Sequence, residues 1–138
     1  MVKVKFCGLR RKEDIKIANS LGIDYMGFIL YPKSPRFVGF EELKVLIPVV
    51  EKAKKVAVFV NPSYEEVKRA LDMGIDLVQL HGEENLDFAR KIGMHRVIKA
   101  FRVKDKVDVP EEWKEAYGVL LDTYSEKAYG GTGKTFNW

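Results

Sequence analysis

Polar, reactive side chains recur at matching places in this 138-residue chain. Lys5 and Cys7 fall late in VKVKFCG, Gln79 and His81 fall late in LVQLHG, and Asp122 interrupts YGVLLDTY. The stretches are otherwise largely apolar, so these groups fall near the carboxyl ends of predicted strands. A thiol, an imidazole and a carboxyl gathered in one place could move protons near neutral pH. Arg36, in FILYPKSPRFV, adds a planar cation able to grip a carboxylate or phosphate with two parallel bonds. Each residue has a plainer explanation when taken alone. A strand cysteine is usually a small buried hydrophobe, an aspartate can cap a turn, and a histidine before glycine can be a satisfied loop residue. Their shared position at strand ends is what argues for a site. It does not name a reaction.

The elements that must position these groups alternate in kind. The predicted strands are 2–8, 25–30, 55–60, 77–82, 96–101 and 117–124. Helical runs lie near 11–21, 40–53, 63–73, 83–92 and 110–115. NPSYEEV supplies a capping residue ahead of an acidic first turn, and Gly22, Gly74 and Gly93 each follow a helical run. The regular strand–helix rhythm predicts a parallel sheet covered by helices. Along the strands, Lys3, Lys5 and Cys7 share one face, Gln79 and His81 share a face with Leu77, and Asp122 shares one with Leu120. Parallel strands buried on both sides should be nearly continuous in apolar residues, so these polar exceptions require a reason. In such folds ligands bind at the strand carboxyl ends. Two architectures fit, an open doubly wound sheet or a (β/α)8 barrel. A barrel takes eight units over roughly 200–250 residues, so six strands point to an open sheet or a barrel missing its last quarter.

Composition narrows the function. Hydrophobic residues make up 46% and charged residues 32%, as in a soluble globular domain. The net charge of +4 is spread through helices beside glutamates, and no basic run is interleaved with aromatics, which argues against a nucleic-acid partner. Most of this charge is expected on solvated faces. One cysteine excludes an internal disulfide and a paired-cysteine metal site, and it fits a reducing, cytoplasmic setting. No stretch reaches the length of a membrane span, and the amino terminus lacks an apolar export signal.

The closing stretch YGGTGKTFNW looks like a phosphate-binding loop. A nucleotide P-loop requires a glycine five residues before Gly133, and that position is Ala128. The loop also follows the last strand, so a nucleotide hydrolase is excluded. Together VKFCGLRRKEDI, GFILYPKSPRFV, VAVFVN, VQLHGEE, VIKAFRV and LLDTYSEKAYGGTGKTFNW resemble the phosphoribosylanthranilate isomerase family of tryptophan biosynthesis, in order and over essentially the whole chain.

The resemblance implies a (β/α)8 TIM barrel, of which this chain supplies about six βα units as a single domain, 1–138. It implies an Amadori rearrangement of N-(5-phosphoribosyl)anthranilate, a small phosphorylated substrate, with no cofactor and no metal. The positions matching the family's acid and base are Asp122 and Cys7, and Arg36 matches the residue that holds the anthranilate carboxylate. Gln79 and His81 would line the site, and the loop bearing Gly130 and Gly131 would cover the substrate. The chain stops where the sixth helix should begin. It is therefore expected to be truncated, without the phosphate-holding loops that follow strands 7 and 8. The alternative expectation is a catalytically silent fragment that self-associates, as a homodimer, through two open sheet edges.

Overall fold

The computed structural model of the chain describes residues 3–103 and 111–123. Six strands form one parallel sheet and lie side by side in chain order. They are β1 (Lys5–Cys7), β2 (Tyr25–Ile29), β3 (Lys54–Phe59), β4 (Leu77–Leu80), β5 (Val97–Val103) and β6 (Gly118–Thr123). A doubly wound sheet reverses its strand order at a switch point. The described strands show no reversal, which removes the open-sheet alternative and leaves a barrel-type winding. The sheet also curls. Tyr25 on β2 and Tyr117, just ahead of β6, bring their hydroxyls to 2.7 Å although three strands lie between them. Their rings meet edge to face with centroids 6.2 Å apart.

The helices α1 (Lys12–Ser20), α2 (Phe40–Leu46), α3 (Tyr64–Met73) and α4 (Leu86–Ile92) connect the strands. The start of α3 is fixed by its own sequence: the Ser63 hydroxyl accepts from the Glu66 amide at 3.2 Å, and the Ser63 amide donates to Glu66 Oε1 at 3.0 Å. Asn85 caps α4 by accepting from the Phe88 amide at 2.9 Å. That helix therefore begins at Leu86, not at 83, and Glu83 and Glu84 belong to the turn before it. The run expected as one helix over 40–53 ends at Leu46 and passes into a 3-10 turn, Ile47–Val49. Pro48, with no amide hydrogen to give, explains the break. The run at 110–115 likewise forms a 3-10 turn, Glu111–Glu115.

Period-two alternation divides the sheet residues between two layers. Met26, Phe28, Val78, Leu80 and Val97 pack outward against Ile15, Leu43, Val67 and Ala89 of the helices. Tyr25, Val56, Leu77 and Ile98 form a separate inner cluster. Register carries that inner face along the strands: Cys7 pairs with Gly27, Val58 with Gln79, and Gln79 with Ile98. On β6, Asp122 occupies the register position opposite Arg102, two steps beyond the Ala100–Leu120 pair.

Candidate active site

The end of β1 brings three predicted residues together. Period-two alternation places Lys5 and Cys7 together on the inner face, where the two side chains interact electrostatically. Lys5 is half-buried. Burial pushes its pKa down; the neighbouring Cys7 sulfur opposes that shift, and the Arg36 cation adds to it. Cys7 is a free, half-buried thiol.

Arg36 reaches this corner because of the loop after β2. Two successive tight turns, Ser34 amide to Tyr31 carbonyl at 3.0 Å and Phe37 amide to Ser34 carbonyl at 3.1 Å, fold the proline-rich segment back on itself. The Val38 amide then returns to the Ile29 carbonyl at 2.9 Å. Arg36 comes to rest with Nη1 donating to the Cys7 carbonyl at 3.1 Å. It lies directly over Gly8, whose φ is +87°. A Cβ on Gly8 would fall 2.6 Å from Arg36 Cδ, so glycine is required both by the backbone and by the arginine stacked on it.

On β4 the structure pairs the other two predicted residues. Gln79 and His81 are buried, and Gln79 Nε2 contacts His81 Nε2. Which of the two groups donates depends on the tautomer of the ring. Among the described residues, Gln79 Oε1 is a buried side-chain acceptor without a hydrogen-bond partner. A cleft of about 580 Å³ opens beside His81, with Glu84, Lys99 and Trp113 in its wall.

Comparison with known proteins identifies the family of the chain. A family model for N-(5'-phosphoribosyl)anthranilate (PRA) isomerase matches residues 4–138. The N-(5'-phosphoribosyl)anthranilate isomerase of Aquifex aeolicus (strain VF5) is 51% identical over 140 residues, covering 100% of this chain and 69% of its own length. The chain belongs to the PRA isomerase family. A crystal structure of the enzyme from Thermotoga maritima matches with a TM-score of 0.78 at 37% identity, covering 100% of this chain and 69% of that one. Another, of PRA isomerase in complex with reduced 1-(o-carboxyphenylamino)-1-deoxyribulose 5-phosphate, matches with a TM-score of 0.75 at 34% identity over 90% of this chain and 66% of that one. The fold is thus the TIM-barrel winding of PRA isomerases, represented among the described residues by six strands.

Of the residues expected to serve a PRA isomerase, Cys7 and Arg36 meet at β1, and Gln79 and His81 meet at β4. Asp122 lies late in β6 at its register position, and Gly130 and Gly131 lie outside the described residues. No helix among the described residues is long and apolar enough to cross a membrane, and none of their acidic, histidine and cysteine side chains cluster to hold a metal. Sequence reasoning missed Glu84, Lys99 and Asn61. Lys99 is 4% exposed and pairs with Glu84 at 3.0 Å, contrary to the expectation that lysine charge lies on solvated faces. The available signal was a lysine inside the apolar run VIKAF, which a parallel strand tolerates only with a buried partner.

Proposed function

We propose that this chain carries the isomerase chemistry of its family, converting N-(5-phosphoribosyl)anthranilate to 1-(2-carboxyphenylamino)-1-deoxyribulose 5-phosphate. The observation that supports the reading is the meeting of Cys7, Lys5 and Arg36 at one strand end. An acid protonates the furanose ring oxygen, the C1–O bond breaks, and the anthranilate nitrogen lone pair forms a C1=N bond. A base then takes the C2 proton, and the C2–H electron pair becomes C1=C2 as nitrogen recovers its pair. The enol hydroxyl loses its proton and C1 gains one, leaving a ketone at C2. C2 is oxidised and C1 reduced within one molecule, so the reaction needs no external electron acceptor.

In this reading Cys7 is the base and Asp122 the acid. To act as the acid, Asp122 must reach the substrate protonated, a state that desolvation of a carboxyl favours. Arg36 grips the anthranilate carboxylate bidentately, and Gln79 and His81 line the sugar side of the cavity. Gly130 and Gly131 close over the substrate. The chemistry places the protein in tryptophan biosynthesis. Turnover is followed as loss of the aminoaldose and appearance of the aminoketose. Cys7→Ala and Asp122→Asn are each expected to lower it by about a hundredfold or more, the scale of general acid–base groups. Near-normal turnover in either folded variant would remove that residue's role, and a wild-type chain without turnover would refute the activity itself.

A further inference from the structure

We propose that Glu84 and Lys99 are positioning residues that lock the peptides after His81 and so hold its imidazole in a single tautomer and orientation. The Glu84 side chain is only 3% exposed, and its carboxylate contacts brace the turns after β3 and β4. Oε1 accepts from the Gly82 amide at 2.9 Å and from Lys99 Nζ at 3.0 Å, and Oε2 accepts from the Asn61 amide at 2.7 Å. Lys99 Nζ also donates to the Gly82 carbonyl at 2.8 Å. Both peptides that flank Gly82 are therefore held, one by the carboxylate and one by the ammonium.

Asn61 completes the brace from the end of β3. Its amide Nδ2 donates to Glu83 Oε2 at 2.8 Å, and its Oδ1 accepts from the Glu83 amide at 2.8 Å. It does so from a left-handed backbone, φ +48°, which asparagine tolerates better than most residues. Gly82 permits the approach: a Cβ there would lie 2.4 Å from Asn61 Oδ1. The His81 amide meanwhile donates to the Phe59 carbonyl at 2.9 Å. The backbone is thus fixed on both sides of His81, and the Gln79 amide contacts its ring. Phe101 and Trp113 flank the Lys99 ammonium at 5.9 and 5.7 Å, which shields the pair from water. A buried ion pair is a poor source of net stability, since burial costs both charges their hydration. Its yield here is geometry: the turn after β3, the turn after β4 and Lys99 within β5 are tied at one carboxylate.

The inference rests on the reading of His81 as a site residue, and its test needs no substrate. The chain has two histidines, and His95 serves as the internal reference. Long-range proton–nitrogen spectra of the ¹⁵N-labelled full chain, taken where imidazoles are neutral, report the tautomer of each ring. The wild type should show one pyrrole-like and one pyridine-like nitrogen for His81. Glu84→Gln with Lys99→Met removes both charges together and avoids stranding one in the interior. In that double variant the two His81 nitrogen signals should collapse toward the tautomeric average, with His95 unchanged. Unchanged separation in the folded double variant would overturn the proposal and leave the pair purely structural. Should the double variant not fold, Asn61→Gly keeps the left-handed backbone, removes both side-chain bonds to Glu83, and must shift the same signals partway; no shift again overturns it. A wild-type chain that shows the fixed tautomer yet no turnover would count against the isomerase reading and leave this inference standing.

Discussion

Replacing Gly8 with alanine should injure both fold and site, through two separable terms. Its φ of +87° is left-handed backbone that a residue with a Cβ occupies at a cost of about 1–2 kcal/mol. The new methyl would also meet Arg36 Cδ at 2.6 Å, with Nη1 at 2.8 Å and Nε at 2.9 Å, so the arginine must leave. Leaving breaks its bond to the Cys7 carbonyl, a charge-assisted bond worth about 1.5–3 kcal/mol, of which the lower end applies because Arg36 is half-buried and water can replace part of it. The sum is about 3 kcal/mol, or a fall of about 1.5 M in the urea midpoint at a slope near 2 kcal/mol/M. Urea unfolding of Gly8→Ala, Arg36→Ala and the double variant forms the assay. In the Arg36→Ala background the cost of Gly8→Ala should shrink to the backbone term alone, a coupling of about 1.5 kcal/mol. A loss below about 1 kcal/mol, or additive single effects, would refute the stacking argument.

Ser63→Ala removes half of the capping box on α3 and should cost about 1 kcal/mol by chemical denaturation; a change within error would mean that the helix start is held by packing alone. Burial, with the hydrogen bond to Tyr117 second, raises the Tyr25 pKa well above its usual value of 10.0. The unfolded chain then ionises first, so stability is full below pH 10.0 and falls as the pH rises beyond it. Tyr25→Phe should flatten that decline in a stability–pH series, and an unchanged slope would sink the assignment. Lys5 runs the other way: its lowered pKa means the unfolded state holds more protons as the pH approaches 10.5 from below, so stability climbs there. Lys5→Met should abolish the climb, and a climb that persists would place its source elsewhere.

The winding was legible because each strand is a compact apolar run and each helix an amphipathic one. The strand–helix rhythm alone could not choose between an open sheet and a barrel, since that depends on which strands are neighbours; the family resemblance chose the barrel, and the strand order agrees. Cys7 and Arg36 were legible as candidates, but their meeting depends on turns at Tyr31–Ser34 and Ser34–Phe37 that set a direction no composition reveals. The helix expected over 40–53 failed at Pro48, where local covalent chemistry overrode an apolar pattern that continues past it. Lys99 and Glu84 were overlooked because a charge is ordinarily solvated and its exception is visible only once the partner, 15 residues away, is placed beside it. The tyrosine pair escaped for the same reason at greater range.

That pair sets an order of events in time. The Tyr25–Tyr117 bridge joins residues 92 apart, whereas each pair of neighbouring strands is separated by a single strand–helix unit. Closing a longer chain segment costs more entropy, so short-range strand pairs should assemble first and the bending of the finished sheet should follow. The bridge then belongs to the native side of the folding barrier. Its removal in Tyr117→Phe should leave the refolding rate almost untouched and speed unfolding, and a slowed refolding limb would place the curl inside the nucleus instead. For the cell, a nascent chain of this kind would spend its early life as a flatter sheet with its inner face open, and would bring its site residues into their final curvature only in the last step.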